Sequence, residues 1–118
     1  MERDLMALTV DDILTGKPRF RTKTVNYGNG LQFDLQTFDV DSFRKVMNRM
    51  ADKDVELSET DYTIIAMRAI SGPHYEPSQA QADQFRANLD KGVLEAILRD
   101  WIVFNNGAEN LADAAKKS

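Results

Sequence analysis

The chain has 118 residues, 42% of them hydrophobic and 29% charged, with a formal net charge of −4. That length holds one hydrophobic core, and the acidic balance argues against a general affinity for nucleic acid or an anionic membrane surface. The absence of cysteine excludes disulfides, thiolate metal sites and thiol catalysis, and no apolar run approaches the ~18–20 residues of a membrane span.

The opening Met1-Glu2-Arg3-Asp4-Leu5 lacks the basic and long apolar regions of a secretory signal, so a cytosolic location is expected. From Thr9 the chain reads as a short helical turn. Thr9 can cap the free N–H groups, Asp11 and Asp12 suit the positive end of the helix dipole, and Gly16-Lys17-Pro18 ends the turn. Residues 19–26 and 31–38 read as antiparallel strands around Asn26-Tyr27-Gly28-Asn29-Gly30, because Asn and Gly tolerate the positive φ of tight loops. Leu31, Phe33 and Leu35 alternate with Gln32, Asp34 and Gln36, a period of two that places the apolar residues on one face.

From about Asp39 to Lys53, the residues Phe43, Val46, Met47, Met50 and Ala51 fall on one helical stripe, expected to be buried. A capping box over Ser58–Asp61 opens the next helix, where Tyr62, Ile65, Ala66, Ala69 and Ile70 share a face. Ile64 and Met67 add a second apolar flank, so this helix is expected at the centre, stopped by Gly72-Pro73. Ser78 with Gln81 offers another capping box, ahead of a polar helix lined only by Ala82, Phe85 and Leu89. Gly92 is expected to separate or kink it from the most apolar helix, whose stripe is Leu94, Ile97, Leu98, Trp101 and Ile102. Asn105-Asn106-Gly107 closes that helix. The sum is one mainly α domain of about four helices with a short N-terminal β-hairpin. Its parts are a helical turn over 9–15, the hairpin over 19–38, a helical body over 39–106 and a flexible or short helical tail over 107–118.

Few residues invite a chemical reading. His74, the single histidine, sits in a Pro-flanked loop with no partner at motif spacing, and reads as a solvated polar residue. Asp34, Asp39 and Asp41 lack the spacing and closing glutamate of an EF-hand, and Gly28 and Gly30 are not followed by the Gly-Lys-Ser/Thr of a phosphate loop. No catalytic residue, metal ligand or cofactor site is therefore expected. The row Lys17, Arg19, Arg21, Lys23 is more informative, since an extended strand places all four on one face. It reads either as a charged edge that resists aggregation or as a docking strip for an acidic surface, a second copy of the chain included. Nucleic acid is disfavoured, because no aromatic platform interleaves the row. Trp101 and Phe104 belong mostly to the core, and any part left exposed would anchor a protein partner.

The stretch Leu8-Thr9-Val10-Asp11-Asp12-Ile13-Leu14 resembles the L-T-x-D-D-I-L opening of tail assembly chaperones of long-tailed bacteriophages. The Val25-to-Leu35 hairpin with its Tyr27-Gly28 turn, the Phe43 helix and the closing Ile102-Val103-Phe104-Asn105-Asn106-Gly107 are also similar to that family. The resemblance covers most of the chain. It implies a non-catalytic protein of the host cytoplasm that binds the tape-measure protein, keeps it soluble, recruits tail-tube subunits and is absent from the mature virion. It further implies a homo-oligomer, and a longer form made by programmed frameshifting near the Ala115-Lys116-Lys117-Ser118 end, whose codons can spell a slippery run of adenines. The rival readings are a structural phage component, such as a head–tail connector or neck subunit, and a small adaptor or inhibitor of a host protein.

Overall fold

The hairpin forms where the alternation places it. In this computed structural model, which describes residues 9–16 and 20–107, β1 (Thr22–Asn26) pairs antiparallel with β2 (Gln32–Gln36), with Val25 opposite Phe33 and Lys23 opposite Leu35. The Tyr27 amide donates to the Leu31 carbonyl and the Leu31 amide to the Gly28 carbonyl, each at 2.8 Å. Closing so short a loop needs left-handed backbone, supplied by Gly28 (φ 88°), Asn29 (φ 53°) and Gly30 (φ 77°). One face of the pair is apolar and turns inward: Leu35 is fully buried, with Val25 and Phe33 half-buried beside it.

Five helices accompany the hairpin among the described residues: α1 (Val10–Leu14), α2 (Val40–Ala51), α3 (Glu59–Ser71), α4 (Gln79–Ala87) and α5 (Lys91–Asn105). The molecule is thus mainly α with one N-terminal hairpin, as its periodicities predict. Local side-chain caps set the starts. Thr9 with Asp12, Ser58 with Asp61 and Ser78 with Gln81 form reciprocal capping boxes, while Asp39 and Asp90 cap α2 and α5 alone. The break between α4 and α5 is not at Gly92. It falls over Asn88–Asp90, because the Asp90 carboxylate accepts the Gly92 amide at 2.8 Å and starts a helix that already contains the glycine.

Helix α3 is central. Its Ile65, Ala66 and Ala69 are buried, and the two alanines let neighbouring elements come close. Around them gather Leu35 and Phe38 from the hairpin side and Ile97 and Trp101 from α5. Helix α2 departs from expectation. Its stripe, Phe43, Val46, Met47 and Met50, is only half-buried, and Ala51 is exposed. Phe43, Val46 and Met50 pack against the core from its margin, and no residue of α2 is fully buried. The hairpin also ties helix ends together. Gln36 Nε2 donates to the Ile70 carbonyl at the end of α3 (2.8 Å), and the Trp101 indole N–H donates to the Gln36 carbonyl (2.9 Å).

Candidate partner-binding grooves

The residues proposed from sequence scatter. Lys17 and Arg19 lie outside the described residues. Arg21 is partly buried and is committed inside the molecule: its guanidinium sits 4.7 Å from the centre of the Phe104 ring and reaches the Phe104 carbonyl at 3.4 Å. Helix α5 has no basic residue in its last turn, so this cation from the hairpin answers the negative end of its dipole. Backbone bonds hold Arg21 there, since its amide donates to Thr37 Oγ1 at 2.9 Å and its carbonyl accepts the Thr37 amide at 3.0 Å. Lys23 is exposed, but its register opposite Leu35 places it on the hairpin's apolar face, at the margin of the core. The two described members of the basic row therefore do not form an outward strip.

Trp101 is not an exposed anchor. It is fully buried, edge-on to Phe38 (4.8 Å) and Phe43 (5.2 Å), and joins the hairpin, α2 and α5. An indole offers a wide apolar face and one N–H, and here both are satisfied internally. Phe104 is half-buried beneath Arg21. His74 is exposed in its loop, and its charge helps hold the Asp39 carboxyl below the usual carboxylate range, behind the larger effect of hydrogen bonds from Ser42. Among the described residues no three His, Asp or Glu side chains gather to hold a metal, and no helix is long and apolar enough to cross a membrane.

Two concave surfaces carry more than these residues do. The first, about 450 Å³, lies where the start of α3, the end of α4 and the first half of α5 meet. Tyr62, Leu89, Leu94 and Leu98 make its apolar floor, and Glu59, Arg86, Lys91 and Glu95 its charged rim. It stays open because α4 turns back toward α3 through Arg86, whose guanidinium donates to Thr63 Oγ1 at 3.1 Å and pairs with Asp83. Thr63 is itself fully buried and donates to the Glu59 carbonyl at 2.7 Å, which fixes the wall of the groove. The second surface, about 430 Å³, lies at the other end of α5, bounded by Phe38, α2 and Asn105.

The sequence shows neither groove, and it shows Asn105 as the helix end that it is but not as a lock. The Asn105 amide accepts the Phe38 N–H at 2.9 Å and donates to the Trp101 carbonyl at 2.9 Å, so it locks the hairpin exit to α5. Nor does the sequence show the role of Tyr27, whose hydroxyl donates to Asp100 at 2.8 Å; burial, then that hydrogen bond, raises the phenol above its ordinary value. The one legible signal for the first groove is the excess of apolar residues on α5, where Leu94 and Leu98 stay only partly buried beside Ile97 and Trp101. No family model, curated protein or solved structure matches this chain.

Proposed function

We propose that this domain is a tail assembly chaperone of a long-tailed phage, acting by stoichiometric, reversible protein binding without chemistry. The observation that carries the binding reading is the groove between α3, α4 and α5, with its apolar floor of Tyr62, Leu89, Leu94 and Leu98 inside a rim of mixed charge. A groove of that kind suits the apolar face of an amphipathic helix, with specificity from pairing at the rim. Long helical proteins expose apolar seams until they are enclosed, and a small acidic domain that covers a seam keeps such a protein in solution. The choice of a tape-measure protein as partner, of tail-tube subunits as the next recruit, and of the host cytoplasm as location rests on the resemblance carried by Leu8–Leu14, the hairpin and the Phe104-Asn105-Asn106-Gly107 close.

Co-expression with the longest helical protein encoded just downstream, followed by pull-down and a solubility assay, tests this reading. The partner becomes soluble and co-purifies with the wild-type chain, and Leu98→Asp, at a half-buried groove position, abolishes both effects while far-UV circular dichroism stays unchanged. A partner that stays insoluble, with this chain found in finished particles, would make the domain a connector or neck component instead. A defined complex with a host protein alone would make it an adaptor or inhibitor.

A further inference from the structure

We propose that α1 is an arm that docks in the second groove, between α2 and the end of α5, of another copy of this chain. The arm is a formed helix, closed by the Thr9 and Asp12 capping box, yet it buries none of its residues. Val10, Ile13 and Leu14 are 75%, 52% and 76% exposed. Their spacing puts the three on one face of the helix. An ordered apolar face turned to water is a surface waiting for a partner rather than a scattering of single exposed residues.

The groove at the end of α5 has the matching deficit. It is floored by Phe38, Phe43 and Met47, and Val40 at its lip is 69% exposed. Arg44 is the only charged residue among the described ones that line it, whereas the first turn of α1 carries Asp11. The groove near Leu94 offers an acidic arm no such net attraction, because Glu59 and Glu95 on its rim balance Arg86 and Lys91. Arm and groove stand open together on one chain, so both are covered when the arm of one copy enters the groove of the next. Such a contact is heterologous and builds rings or open series rather than a closed pair. Three aliphatic side chains bury too little to hold two copies together when dilute, so the contact works between copies already held side by side.

The cysteine-free sequence makes the contact directly trappable. Leu14→Cys and Val40→Cys, at exposed positions, are placed in separate chains, mixed at high concentration and oxidised. The cross-linked heterodimer should exceed that from Leu14→Cys with Glu95→Cys by about tenfold, the gain of a held encounter over random collision. Arg44→Glu should lower the yield, and adding Asp11→Lys to the partner chain should restore it. Equal yields for Val40→Cys and Glu95→Cys, or indifference to the charge reversal, would overturn the proposal. So would a chain carrying both Leu14→Cys and Val40→Cys that closes on itself at every dilution, because the arm would then occupy its own groove.

Discussion

Replacing Asn105 by alanine removes the side chain that fastens the hairpin exit to α5, and its cost can be worked from the contacts. The Phe38 N–H loses its acceptor at 2.9 Å in a position where Phe38 is only 8% exposed, and the Trp101 carbonyl loses a donor at 2.9 Å. A buried donor left unpaired costs about 1–3 kcal/mol, and the second, less buried bond adds roughly 0.5–1.5 kcal/mol. A loss of about 2–3 kcal/mol is therefore expected. Trp101, the only tryptophan in the chain and packed on Phe38 and Phe43, reports unfolding by its own fluorescence. With a urea slope of about 1–3 kcal/mol per molar, the midpoint should fall by roughly 1–2 M at an unchanged slope.

Asn105→Asp sharpens the test. The carboxylate still accepts from Phe38 but sets a negative charge against the Trp101 carbonyl, at the negative end of α5. It should cost more than alanine at neutral pH. The fold would raise that carboxyl's pKa above its unfolded value, so the penalty relative to wild type should shrink as pH falls toward ~4 and the protonated form can donate. A loss below about 0.5 kcal/mol for Asn105→Ala would mean that water or backbone satisfies Phe38 equally well, and the lock would be no lock.

Ile97, fully buried, should cost about 2–5 kcal/mol on truncation to alanine, measured by the same denaturation. Arg21→Glu should destabilise the isolated chain, because it places an acid at the α5 carbonyl end where the guanidinium now sits over Phe104; unchanged stability with altered association would return Arg21 to a docking role. Acid should weaken the fold through the caps of α2 and α3. Hydrogen bonds from Ser42 lower the Asp39 carboxyl, and the Ser58 backbone, aided by the Ser58 hydroxyl and Arg49, lowers Asp61. Both titrate lower folded than unfolded, so their stabilisation is present above the unfolded value near ~3.9 and is lost as pH falls through the folded values. Asp39→Asn and Asp61→Asn, followed by thermal melts from neutral to acid pH, should flatten that decline.

What was legible in the sequence was local. The reciprocal caps at Ser58 and Ser78, the left-handed turn at Asn29 and the inward face of β2 each depend on residues within a few positions. The centrality of α3 was also readable, because a helix apolar on two flanks must be covered on both. The misplaced break at Gly92 shows the limit of that reasoning. A glycine is permissive in a loop and merely costly in a helix, and the Asp90 cap decided between them. Contacts such as Arg21 on Phe104 and Asn105 on Phe38 join residues 83 and 67 positions apart, and no spacing rule reaches that far. The grooves were hidden for a related reason: periodicity marks which face of a helix is apolar, not how much of that face a neighbour covers.

The two grooves share one wall, which would let a domain this small carry both of the binding roles proposed for it. Leu94 and Leu98 line the first and Asn105 the second, so along α5 they lie about 10–17 Å apart at a helix's rise per residue. On the same stripe Ile97 and Trp101 are fully buried and hold α5 against α3 and the hairpin. An occupant of either groove therefore meets a helix already fixed by buried contacts rather than one that must be ordered on binding, which lowers the entropic cost of each contact. The rims differ in charge: Glu59 and Glu95 balance Arg86 and Lys91 around the first, while Arg44 is the charged residue among those described at the second. A long partner in the first groove and a neighbouring copy's acidic arm in the second would then compete for nothing, and copies could follow one another along a single helix.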